Sequence, residues 1–175
     1  MKSETPEVVQ VGSEFEQALS ALWTTTFQEA YRDTHTTENI AAYCKTNFSV
    51  AATREALSDP ETICKIAGPI GEPRGFYVLK MQACPELTDG RGCELKQIYL
   101  REVAYGTGLG RRLFDDALIC AHGLRADYVW LSVSALNTRA QKFYQKLGFE
   151  TVGDGPVFEV GSDRLASNLM VRPLR

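Results

Sequence analysis

The sequence predicts one α/β domain over residues 1–175: a mixed, mainly antiparallel sheet with one parallel pair at its centre, and helices on both faces. Three observations predict it. Residues 61–84 read as two apolar strands about a Gly/Pro-rich turn, the pattern of an antiparallel hairpin. Two strand–turn–helix units follow, at 94–123 and 128–148, and a helix between two strands is the connection that lets them run parallel. Helix-period stripes fill the stretch before the hairpin and supply further cover for the sheet.

Taken in order, residues 7–12 (EVVQVG) form a first short strand. Ser13 followed three residues later by Glu16 has the form of a capping box. Phe15, Leu19, Leu22 and Trp23 then recur at helical spacing, and the helix continues through Phe27 to Tyr31. Thr36 fits the N-cap of a second helix, with Glu38 in its first turn and Ile40, Tyr43 and Cys44 as its apolar stripe. A third helix spans 50–57 and ends before Asp59-Pro60. In the hairpin, ETICKIAG and FYVLKMQAC flank the turn PIGEPRG, and the polar segment 85–92 returns the chain into a strand at 94–100. Leu109, Leu113, Phe114, Ala117, Leu118 and Ala121 mark the next helix, with Gly123 as its C-cap. Residues 128–133 are almost continuously apolar, as suits a strand buried on both faces. A short helix carries Ala140, Phe143, Tyr144 and Leu147 and stops at Gly148. Strands at 150–153 and 165–172 close the chain, with GPVFEVGSD as the loop between them.

Composition narrows the functional classes. The chain is 44% hydrophobic and 23% charged, enough apolar material for one sizeable core. Nineteen Lys and Arg stand against 22 Asp and Glu, a net charge of -3, which argues against nucleic acid as a partner and is compatible with a cationic small substrate. No apolar run reaches the roughly 18–20 residues of a bilayer span, and the N-terminus lacks a signal-peptide apolar core, so the expectation is a cytoplasmic protein without a membrane partner. The cysteines at 44, 64, 84, 93 and 120 are odd in number and widely spaced, so buried free thiols are expected rather than disulfides or a zinc site. His35 and His122 stand in no evident constellation, and no metal is expected.

The stretch from 94 to 110 organises the rest. Its strand runs into Tyr105-Gly106-Thr107-Gly108-Leu109-Gly110-Arg111, three glycines at every second position, and then directly into a helix. Glycine lets backbone approach an anion closely, and the free N–H groups of a first helical turn point at it. The spacing is neither the dinucleotide fingerprint nor a Walker loop: Arg111 stands where the former needs its third glycine, and no Gly-Lys-Ser/Thr follows. Plain turn chemistry is the alternative for the glycines, and a solvated basic helix face is the alternative for Arg111 and Arg112. With the second unit, 130–149, the pieces suggest a pantetheine-diphosphate group laid between two strands.

Ile98-Tyr99-Leu100, the Tyr105-to-Gly110 turn, Asn137 and the string A-x-x-F-Y-x-x-L-G-F over 140–149 resemble the acetyl-CoA motifs of the GNAT superfamily of N-acetyltransferases. The family turn is written Q/R-x-x-G-x-G/A. Gly108 and Gly110 match it, while Tyr105 stands where Gln or Arg is usual. This likeness covers roughly 94–153. A further likeness, to PaiA-type spermidine/spermine acetyltransferases, rests on Phe27 and Tyr31, on E-N-I-x-x-Y over 38–43 and on the tail segment VFEVGSD.

The resemblance implies a GNAT-like sheet whose central parallel strands splay apart, and acetyl transfer from acetyl-CoA to a primary amine without a covalent enzyme intermediate. It implies a cosubstrate site made of Ile98, Tyr99, Leu100, Tyr105, Gly106, Thr107, Gly108, Leu109, Gly110, Arg111, Asn137 and Lys146. Tyr144 is implied as the general acid at the sulfur, although its periodicity alone reads as a core tyrosine. Asn137 fits a helix N-cap and a pantetheine contact at once, and Lys146 could reach a phosphate or adenine edge but reads more readily as a solvated helix charge. Glu94 is the candidate base, acting through water; its alternative is a surface carboxylate at a strand end. Phe27, Tyr31 and Glu29 are the candidate acceptor residues, with Asp33 and Glu38 as further acids; core packing is the alternative for the aromatics, and helix solvation and capping for the acids. The implied partner is a small amine, led by polyamines. The rivals are a protein N-terminus or lysine, which an open groove of strand edges would suit, and a silent acyl-CoA-binding module. Monomer and homodimer both remain open.

Overall fold

The computed structural model describes residues 7–69 and 71–174. The reading of the first six residues, and Ile70 within the expected hairpin turn, lie outside the described residues. Strand β1 (Val8–Val11) leads through a short 3-10 turn (Ser13–Phe15) into α1 (Glu16–Tyr31), followed by α2 (Thr37–Asn47) and α3 (Val50–Ser58). Then come β2 (Thr62–Ala67), β3 (Gly75–Met81) and β4 (Gly92–Leu100), α4 (Leu109–Gly123), β5 (Tyr128–Ser134) and α5 (Thr138–Lys146). The chain closes with β6 (Glu150–Asp154), β7 (Phe158–Val160), β8 (Asp163–Leu165) and β9 (Ser167–Pro173). Seven strands form one sheet in the order β1-β2-β3-β4-β5-β9-β6, and β7 and β8 form a separate hairpin. The β4–β5 pair is parallel and its neighbours are antiparallel, as the sequence predicts.

Each face of the sheet carries its own core. On one face α4 lays Leu109, Leu113, Phe114, Ala117 and Ala121 against Tyr77, Leu79, Leu95, Val129 and Leu131. These are five of the six residues in the stripe the sequence marks, Leu118 being only partly buried, and fully burying each large one is worth about 1.5–3 kcal/mol. On the other face α1 and α2 bury Leu19, Leu22, Trp23, Phe27, Ile40 and Cys44 against Ile66, Phe76 and Val78. The cysteines are free thiols and, Cys120 excepted, buried.

The helix ends show where local signals succeed and fail. Thr36 caps α2, its side chain accepting from the Asn39 N–H at 3.2 Å. Ser49, unmarked in the sequence reading, caps α3 in the same way by accepting from Ala52. The expected Ser13–Glu16 capping box is absent, because Glu16 is drawn instead into a two-pronged pair with Arg54 of α3. Gly123 is the last residue of α4 rather than its left-handed cap; the chain reverses two residues later at Arg125, φ 58°. The expected loop at 155–163 is partly folded as the β7–β8 hairpin, and the expected 165–172 strand is divided between β8 and β9.

One irregularity in the ladder shapes everything functional. Val78 faces Gln97 while Leu79 faces Leu95, so Lys96 is an extra residue on β4. Such a bulge bends its strand and sharpens the local twist. It also keeps Leu95 and Ile98 on the α4 face while Gln97 and Tyr99 turn toward α1.

Candidate active site

The parallel pair is short. Gly92 pairs with Tyr128, Cys93 with Val129 and Glu94 with Trp130. Beyond that point β4 runs on to Leu100 and β5 to Ser134 without pairing to each other, so the two strands open into a wedge whose apex is Glu94. Facing strand edges carry unpaired N–H and C=O groups, to which an extended chain containing amides can add like another strand. A cavity of about 260 Å³ lies in the wedge, walled by Ile98, Ser132, Asn137 and Tyr144 on one side and by Phe27 and Tyr31 on the other. A larger lobe of about 660 Å³ adjoins it and shares Gln97, Lys96, Ser132 and Phe158 as common wall.

The glycine turn sits beyond the open end of β4. Gly106 and Gly108 have φ of 74° and 83°, the left-handed region, and a Cβ on either would meet nothing within 4 Å. Glycine is needed there for backbone conformation and not for want of room, and the space above both residues is open to a ligand. Gly110 is different: a Cβ there would come within 3.1 Å of Leu100, so this glycine lets α4 settle onto the end of β4. Gly108 is the N-cap of α4 and offers no side-chain oxygen; the Leu109 N–H donates to Thr107 Oγ1 at 3.4 Å, which leaves the next first-turn amides, of Gly110 and Arg111, available to an anion. The arrangement fits the group the motifs imply: a diphosphate at the head of α4 and an amide-bearing arm in the wedge.

Tyr144 lies on α5, packed edge-on against Phe143 and Phe149. Burial, reinforced by the nearby Tyr31, pushes its phenol up to about 12, so it stays protonated through the neutral range. Across the cavity the Tyr31 and Tyr99 hydroxyls are 3.2 Å apart, and burial holds Tyr99 well above the ordinary phenol value. Glu94 borders the larger lobe. Burial raises its carboxyl from the usual range, against the opposing pull of Lys96 at 3.8 Å and a hydrogen bond from Gln82. A carboxylate tuned upward in this way is a stronger base than an ordinary one.

The structure brings together most of the predicted residues and leaves Lys146, Glu29, Asp33 and Glu38 outside the cavity walls. Ile98, Tyr99, Asn137, Tyr144, Phe27 and Tyr31 all border the wedge cavity. Asn137 is also the N-cap of α5, its Oδ1 accepting from Ala140 at 3.0 Å. Leu100 points into the α4 core, leaving only its backbone to the wedge. Tyr105 and Thr107 flank the turn, with Thr107 Oγ1 donating to the Ala104 carbonyl at 2.7 Å. Arg111 is exposed and engaged with Asp115 one turn along. Lys146 lies in the exposed last turn of α5, outside both cavity walls. Glu29 departs most from expectation. It pairs with Arg101 at 3.1 Å and accepts the Glu102 N–H at 2.8 Å, so it fastens α1 to the loop after β4 instead of facing the cavity. Asp33 and Glu38 do not border the cavities either.

Several wall residues escaped the sequence reading. The β7–β8 hairpin delivers Phe158, Val160 and Leu165 to the cavity. It is held down by His35 on Asp163 at 2.6 Å and by Asn39, which accepts the Ser162 N–H at 3.1 Å. The alternation F-E-V, a Gly-Ser turn and D-R-L was the available signal. Phe48, Glu55 and Gln97 also belong to the walls.

Residues 17–149 match the acetyltransferase (GNAT) family profile. Over 156 residues the chain is 33% identical to an uncharacterized N-acetyltransferase of Mycobacterium tuberculosis, covering 89% of this chain and 96% of that protein. It is 25% identical over 169 residues to an uncharacterized N-acetyltransferase of Lactobacillus delbrueckii subsp. lactis, covering 96% and 97%. Among solved structures it is similar to a PaiA N-acetyltransferase from Thermoplasma acidophilum in complex with coenzyme A, with a TM-score of 0.75, 17% identity and coverage of 97% and 99%.

Proposed function

The chain belongs to the acetyltransferase (GNAT) family, and from that premise we infer that it moves an acetyl group from acetyl-CoA to a primary amine of a small, polyamine-type molecule by direct attack. The observation that carries this reading is the wedge between β4 and β5, with the Gly108 helix head at its outer end and the Tyr144 phenol on its wall. Acetyl-CoA brings an activated thioester: the amine lone pair forms the new C–N bond to the acetyl carbon, and the C–S bond breaks to leave coenzyme A. The chain's residues supply alignment and proton movement. The Ile98, Tyr99 and Leu100 backbone holds the pantetheine arm, and the amides after Gly108 hold the diphosphate. Glu94 takes the proton that the nitrogen loses, through water, and Tyr144 gives one to the departing sulfur.

The cavity supports a small acceptor. The lobe beside Tyr144 is lined by aromatic residues and carries no carboxylate among the described residues, so a charged ammonium is disfavoured there and the neutral, nucleophilic amine is preferred. The larger lobe carries Glu55, Asp59 and Glu94 together with Lys80, which pairs with Asp59 at 2.8 Å, and Lys96, 3.8 Å from Glu94; Glu55 is the carboxylate there that supports a second cationic nitrogen of a diamine or polyamine. The test is thiol release from acetyl-CoA across polyamines, monoamines and lysine peptides. Polyamines should give the highest kcat/KM. Preferred turnover of peptides would overturn the acceptor class, and no release with any amine would overturn the catalytic reading.

A further inference from the structure

Gln97 has an unusual position. The bulge at Lys96 turns it onto the face it shares with Glu94 and Tyr99, and its side chain borders both lobes of the cavity. Its Oε1 is buried and makes no hydrogen bond. A buried carbonyl oxygen without a donor is costly, and such orphans are rare in folded proteins. Among the other side-chain acceptors at this wall, Asn137 Oδ1 caps α5, and the Tyr31 and Tyr99 hydroxyls face each other. The terminal torsion of a glutamine is broad, so a small rotation presents the carbonyl to a donor arriving in either lobe.

We propose that the Gln97 side-chain carbonyl is the acceptor for the reacting nitrogen's second N–H and makes the enzyme select primary over secondary amines. The proposal rests on the amine-acetylating reading above. When a primary amine attacks, its nitrogen becomes a cation with two protons. One leaves toward Glu94, and the other stays as the N–H of the product amide and donates to Gln97. A secondary amine surrenders its only proton, its product has no N–H, and the carbonyl stays orphaned. The same bond sets the direction of the lone pair before attack, which makes Gln97 a positioning residue as well as a selective one.

The experiment compares putrescine with N,N′-dimethylputrescine in the wild type and in Gln97→Leu. The wild type should favour putrescine. In the variant kcat/KM for putrescine should fall roughly tenfold to a hundredfold, that for the dimethylated amine should hold within about twofold, and the KM for acetyl-CoA should not move. Because the substitution removes an unpaired buried carbonyl, the Tm of the free variant should be equal to or above that of the wild type, which a structural role would not give. An unchanged preference in an active variant, an equal fall for both amines, or a wild type active without preference overturns this inference alone. A wild type inactive toward all amines overturns the functional reading and this inference with it.

Discussion

The two halves of the cavity are built on different principles. The donor half, from β4 through the glycine turn to the start of α4, works through backbone: strand edges left open by a three-residue pairing, and helix amides left uncapped at Gly108. The acceptor half works through side chains gathered from distant segments, with Phe27 and Tyr31 from α1, Tyr43 from α2 and Phe158 from the β7–β8 hairpin. Backbone chemistry constrains sequence tightly, since φ values of 74° and 83° call for glycine, whereas an aromatic wall accepts many sequences. A donor half common to relatives and an acceptor half particular to each is the expected outcome.

Substitutions can separate the halves. The largest effect should come from Tyr144→Phe: kcat should fall about a hundredfold or more while acetyl-CoA affinity holds within about twofold, measured by thiol release and titration calorimetry. Equal activity would remove the phenol from proton donation. Next is Glu94→Gln, with kcat/KM down about tenfold to a hundredfold. Burial raises the Glu94 carboxyl, so the working carboxylate forms only above the ordinary range. The pH profile of kcat/KM should therefore rise through a limb displaced upward from ordinary carboxylates, and the variant should lose that limb. A profile with the limb retained in Glu94→Gln would assign the base elsewhere.

Gly108→Val comes third. Forcing a β-branched residue to φ 83° and filling the space above the turn should weaken acetyl-CoA binding by about tenfold, with amine KM little changed. Unchanged affinity would move the diphosphate off the turn. The smallest effect should be Glu29→Gln. It loosens the tie to Arg101 and lowers Tm, but amine KM should stay within about twofold, since Glu29 does not border the cavity. A large rise in amine KM would restore Glu29 to the acceptor site.

The contrast also explains what the sequence made legible. The 3.6-residue stripe on α4, the parallel pair and the glycine turn are local patterns, and each is found where the residues indicate. The capping box at Ser13 was a local signal overridden by a distant one, the ion pair from Glu16 to Arg54. Glu29 had the right type and helix for a substrate acid, but its direction depends on Arg101, 72 residues away. Gln97 was hidden because no local rule places a bulge at Lys96, and a one-residue slip decides which face a side chain takes.

The central claim is that the head of α4 and the open edge of β4 hold the two ends of the cosubstrate. Amide hydrogen exchange with and without acetyl-CoA tests it most directly. The account predicts new protection at residues 108–112 and at 98–100, and little at α3 or β6. Protection confined to other segments, with exchange at the glycine turn and the β4 edge unchanged, would contradict it.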